Sequence, residues 1–159
     1  MAVDYFLQIT GIEGESRDAK HKGWLDVESW SWGETQTPAA PGGGGGGAGR
    51  VQMQDLHFTT PVSKASPKLF LACASGTHTK EAKLSAVRAG ATQLEFLTWT
   101  FTDVLVTGYQ TGAAGDEPPT DAVSLNFGAI RVEYKAQKAD GSLDAPVTAG
   151  WDAKANKKL

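Results

Sequence analysis

The sequence predicts a mostly-β fold: eight or nine strands in a closed barrel or a tight sandwich, with one short helix laid over one side. Three observations carry that expectation. Apolar and polar residues alternate along most of the 159-residue chain, as in strands with one buried face. A single stretch, Ser66 to Gly76, breaks the alternation with helical spacing. Turn residues separate the segments, and the 19 glycines follow no three-residue collagen period.

Residues 3–10 form the first expected strand, with Tyr5, Leu7 and Ile9 on one side and Phe6 on the other. Gly11 to Ser16 turns the chain into the charged segment Arg17 to Lys22. Residues 24–33 read as a second strand, with Trp24, Trp30 and Trp32 on one face and Leu25 and Val27 on the other. Such a strand is covered on both faces or stands at a subunit boundary. From Glu34 to Arg50 there is no periodicity, only a Thr/Pro-rich run and the glycines Gly42 to Gly47. A loop of that length in a compact domain serves a function or is disordered, and we read it as a flexible arm that orders against a neighbouring molecule. No Gly-Lys-Ser/Thr follows the glycines, so they do not form a phosphate loop.

Val51 to Thr60 is extended again, and the shift between Val51/Met53 and Leu56/Phe58 predicts a bulge or a change of face. The helix follows: Ser66 as N-cap, Pro67 at the first helical position, and Gly76 as the left-handed closing residue. Leu69, Phe70 and Cys73 make its apolar side, which a helix this short must bury to persist. Lys80 to Arg88 is a half-exposed strand, and Gln93 to Phe101 a richer one that bends at Thr102-Asp103 or runs on into Val104 to Val106. Residues 112–121 are a loop. Val123, Leu125 and Phe127 alternate, then Ile130, Val132, Tyr134 and Ala136 do so with the phase slipped near Gly128. The slip predicts one long strand serving two sheets. Asp140-Gly141 is a hairpin turn leading to Val147 through Trp151, and the polar, basic tail at 152–159 is expected to fray.

A formal charge of -3 argues against a nucleic-acid or anionic-membrane footprint. No apolar run approaches the ~20 residues of a membrane-spanning helix. Met1 to Phe6 lacks the basic and long apolar regions of a secretory signal. Cys73, the one cysteine, reads as a small buried hydrophobe; near its helix's C-terminal end it would lack the field that stabilises a thiolate. His21, His57 and His78 lack zinc-cluster spacing and read as surface or interface histidines. Asp116 and Glu117 sit in a Pro-rich loop with no pocket implied. The chain therefore reads as a binding or assembly module, with no catalytic residue, cofactor or metal expected. A carbohydrate-binding β-sandwich using Trp24, Trp30 or Trp32 is an alternative, and it requires an exposed aromatic platform.

Several segments together resemble the signature of the hemolysin-coregulated protein (Hcp) family, the inner-tube proteins of bacterial type VI secretion systems. They are Gly14-Glu15-Ser16, Lys20-His21-Lys22-Gly23, Ser29-Trp30-Ser31-Trp32-Gly33, Gly49-Arg50-Val51, Ser66 to Gly76 and Ala149-Gly150-Trp151-Asp152. The resemblance covers essentially the whole chain in order. It implies a single domain over 1–159, a closed β-barrel formed by two packed antiparallel sheets with one short α-helix at the side, an extended loop at 34–50 and a basic tail at 152–159. It implies homohexameric rings stacking into a tube, a spike protein at the tip, a contractile sheath around it and small effector proteins in the lumen, with no direct membrane insertion. A ring acting mainly as an effector chaperone is the alternative within the family. The chain would be cytoplasmic before firing and then secreted without a signal peptide. Ring subunits use different patches on each flank, and candidate assembly residues are Lys20, His21, Lys22, Trp30, Trp32, Pro38, Gly44, Arg50, Lys68 and Trp151.

Overall fold

A computed structural model describes residues 2–38, 49–90 and 92–159. The first alternation becomes β1 (Val3–Ile9), with Phe6, Leu7 and Ile9 buried. The predicted second strand is divided into β2 (Leu25–Val27) and β3 (Ser29–Ser31). It changes partner at Glu28: β2 pairs with β1, whereas β3 pairs with β6 (Leu56–Pro61). The supposedly aperiodic arm contains β4 (Glu34–Gln36), which pairs antiparallel with β5 (Val51–Met53) as a separate two-stranded sheet. The break between β5 and β6 is the expected change of face. The arm between residues 39 and 48, including Gly42 to Gly47, lies outside the described residues.

Helix α1 (Ser66–Ser75) follows β6. Ala65, not Ser66, occupies the N-cap, without a side-chain cap bond. Ser66 instead turns its hydroxyl to the buried Asp121 carboxylate at 2.5 Å, a charge-assisted bond that ties the helix start to the sheet. Gly76 ends the helix at φ 66, the left-handed region open to glycine, with its N–H on the Ala72 carbonyl. The expected apolar side is only partly right. Leu69 is fully buried and Cys73 packs half-buried on the core, but Phe70 is 60% exposed. Phe70 meets Tyr109 edge-on at a centroid distance of 6.4 Å.

The long antiparallel ladder comprises β7 (His78–Arg88), β8 (Leu94–Gly112), β9 (Thr120–Asn126) and β10 (Ala129–Tyr134). The strand serving two neighbourhoods is β8: its first part lies between β7 and β10, while Leu105 to Gly112 pairs with β9. Asp103 makes the turn, with a positive φ of 56, and the Gly128 N–H bonds the Thr102 carbonyl at 2.8 Å across it. The slip near Gly128 therefore separates β9 from β10 around the bend of β8. β11 (Val147–Asp152) pairs with β10, and Gly141 lies in the turn before it. The tail does not simply fray. β12 (Lys157–Lys158) pairs with Trp151 and Asp152.

The expected closed barrel is not formed. A ten-stranded sheet runs β12-β11-β10-β8-β7-β1-β2, with β9, β6 and β3 branching from β8, and β4-β5 stands apart. A closed barrel has no edge strands. Here the order ends at β2 and β12, and the partner switch at Glu28 interrupts the ladder between β2 and β3. Only local bonds span that seam: Glu28 N–H to the Thr59 carbonyl at 2.9 Å, and the Thr60 hydroxyl to the Asp26 carbonyl at 2.6 Å. The core lies where the two wings of β8 face each other, filled by Leu7, Leu25, Phe58, Leu84, Phe101 and Leu125.

Candidate functional site

The ten candidate assembly residues fall into separate places. His21 is buried, only 2% exposed, and not at the surface. Its segment leaves β1 at Gly11 and returns at β2, and the imidazole anchors this excursion to the sheet. The ring stacks on Phe6 at 4.7 Å and stands edge-on to Trp24 at 4.6 Å. Its Nδ1 lies 2.7 Å from Asp18 Oδ2, and its Nε2 lies 2.9 Å from Glu95 Oε2 and 3.2 Å from Ser85 Oγ. Each ring nitrogen thus faces a carboxylate oxygen, and an N–H at either position donates to it. The Gln93 amide and then the His21 ring hold the Asp18 carboxyl below its ordinary value, against the opposing effect of burial. For Glu95 burial pushes upward, but hydrogen bonds from His21, Ser85 and Thr98 prevail and hold the carboxyl down. Lys20 and Lys22 flank this anchor, and both are exposed.

Trp32, Arg50 and Trp151 come together around the β4-β5 sheet. Trp32 and Trp151 line a cavity of about 590 Å³ with Met53, Trp99 and Val132. The Trp32 indole N–H donates to the Gln54 carbonyl at 2.9 Å, and its ring lies 5.4 Å from Trp99. Arg50 Nη2 donates to the Ala153 carbonyl at 3.0 Å, fastening the arm to the tail. Trp30 sits elsewhere, edge-on to Tyr5 at 6.0 Å. Pro38 is exposed at the edge of the described arm, and Gly44 lies outside the described residues.

Trp24, Trp30 and Trp32 are each half-buried, so these residues do not build the exposed platform required for sugar stacking. Among the described residues no group of three or more His, Cys, Asp or Glu could hold a metal ion. Nor is any described helix long and apolar enough to cross a membrane.

Lys68 lies on α1 beside Leu71, which is 62% exposed, and both line a groove of about 620 Å³ between the helix and the turn after β1. Sequence reasoning missed Leu71 because it counted only the helix's inward side. It also missed Asp4, Asp26 and Glu28, which line a second groove of about 420 Å³ at the other end of β1. Their only signal was acidic spacing on the outward positions of two strands. Burial, followed by the nearby charges of Asp4, Asp18 and Glu15, pushes the Asp26 carboxyl above its ordinary value. Glu95 escaped notice for a different reason: its histidine partner is 74 positions away.

In this open β scaffold His21 and most of the aromatic rings are used for packing, so the outer grooves with their apolar and charged residues are the surfaces left for contact with other molecules. The chain belongs to the family described as type VI secretion system effector, Hcp, which matches residues 6–134. It is 48% identical over 159 residues to Protein hcp1 of Pseudomonas aeruginosa, covering 98% of each chain. Its fold matches the crystal structure of Hcp1 from Salmonella typhimurium with a TM-score of 0.82 at 36% identity, over 100% of both chains. A structure described as a type six secretion system protein matches with a TM-score of 0.91 at 27% identity, over 99% of this chain and 100% of the other.

Proposed function

We infer that this chain is the structural subunit of a type VI secretion system inner tube, assembling into hexameric rings that stack and are ejected when a surrounding sheath contracts. The family match, running from β1 to the end of β10, carries the reading. The role is structural and not catalytic. Its partners are further copies of itself, a spike protein at the tube tip, the contractile sheath and small effector proteins carried in the lumen. The chain is made and assembled in the cytoplasm and leaves the cell with the fired tube. Native mass spectrometry with negative-stain imaging tests this. Six-subunit rings with an open centre support it, and a compact monomer at micromolar concentration refutes it.

A further inference from the structure

We propose that the groove beside α1 receives the acidic end of β1 from a second copy of this chain, so that copies join head to tail through one repeated basic-on-acidic contact. This rests on the assembly reading above and names the surfaces it uses. Apolar Ile12, Leu71 and Ala72 line the groove together with Lys68 and Lys80. Neither lysine has an ion-pair partner among the described residues. Leu71 is 62% exposed, so its side chain is free to meet a partner. A stable contact combines these features: an apolar centre that excludes water and charges that set the partner and register.

The complementary surface lies on the same chain. Asp4, Asp26 and Glu28 line the groove at the start of β1, where Arg17 is the one lining cation. These three carboxylates also lack an ion-pair partner among the described residues. Burial first, and then the charges of Asp4, Asp18 and Glu15, push the Asp26 carboxyl upward, and an incoming lysine would offset the charge repulsion. The basic groove includes Thr10, just beyond the end of β1, and the acidic groove begins at its first residues. Six residue steps lead from Asp4 to Thr10, about 20 Å at the rise of an extended chain. Two different patches at opposite ends of one strand are suited to a heterologous contact, which repeats from copy to copy and does not pair off into a dimer.

Two full-length variants test the contact: K68E/K80E, which makes the groove acidic, and D26K/E28K, which makes the other end basic. All four side chains are exposed, and an unchanged thermal melt for each variant establishes that it folds. Each alone should associate at least about tenfold more weakly than the parent protein, since like charges then face each other. An equimolar mixture should recover assembly, because each variant's groove then meets an end of opposite sign, and native mass spectrometry should show the two alternating. Association of the parent protein should also weaken as salt is raised. Variants that assemble as well as the parent, or a mixture that stays dissociated, would overturn this contact and leave the tube reading standing. A parent protein that forms no rings would overturn both.

Discussion

Replacing His21 by alanine should destabilise the folded chain by about 3–5 kcal/mol at neutral pH. Its loss strands two carboxylate oxygens that it now hydrogen-bonds, and a buried acceptor left unsatisfied costs about 1–3 kcal/mol, more when it is charged. The magnitude depends on how far the abandoned carboxylates can rehydrate. Asp18 has a side-chain exposure of 10% and cannot do so readily, although Gln93 and the Lys20 N–H still serve it. Glu95, at 37%, can turn toward solvent, so most of the penalty falls on Asp18 and on the lost contacts with Phe6 and Trp24. Those aromatic contacts contribute about 0.5–1.5 kcal/mol each beyond buried area. Urea unfolding followed by circular dichroism, at one fixed protein concentration, would measure the loss. Asp18 and Glu95 have depressed folded-state pKa values, so their stabilisation is present above the ordinary 3.8 and 4.5 and is lost as pH falls through the lower folded values. The difference between His21→Ala and the parent protein should therefore shrink in acid. A loss below about 1 kcal/mol at neutral pH, or a penalty undiminished in acid, would refute the role given to the two carboxylates.

Four other substitutions probe the frame around the assembly surfaces and the surface itself. Ser66→Ala leaves the fully buried Asp121 with only the Tyr109 hydroxyl as side-chain donor, and should cost about 1–3 kcal/mol in a denaturant melt. Gly14→Ala places a methyl group 2.5 Å from the Trp24 carbonyl oxygen, where backbone must move; a loss of about 1–3 kcal/mol is expected, together with broadened amide signals across residues 13–24. Leu69→Asp puts an unpaired charge at a fully buried position and should abolish soluble folded protein, whereas Lys68→Asp should leave the melt unchanged and weaken only association.

The tail and the arm bear on the same distinction between folding and assembly. β12 covers the last part of β11, and Leu159 N–H bonds the Gly150 carbonyl at 3.1 Å. Arg50 reaches Ala153 from the far side of the arm. Tail and arm thus brace each other across the groove lined by Trp32 and Trp151. This explains in physical terms why a polar, basic terminus is ordered: its backbone pairs with an edge strand, and its side chains need no core.

Alternation in the sequence marked most of the strands, because period two is a property of the backbone that packing does not change, whereas β4 in the arm and β12 in the tail carried no such signal. The helix and its left-handed end at Gly76 were equally legible, since proline, glycine and short-range apolar spacing act within a few residues. The change of phase at Gly128 was visible too, although the strand that spans both wings proved to be β8, bent at Asp103. Tertiary structure alone decided closure. Nothing local in residues 24–33 shows that the chain leaves β1 for β6 at Glu28, a choice set by which edges are free once the sheet has twisted. It also decided the fate of His21 and of the acidic residues at the start of β1. His21 is buried where Glu95 arrives from a distant strand, and the carboxylates gather because the β1–β2 register sets Asp26 opposite Phe6, two residues along from Asp4. Charges separated in sequence meet only when the ladder forms, and their energies are set by that proximity and by the water it removes.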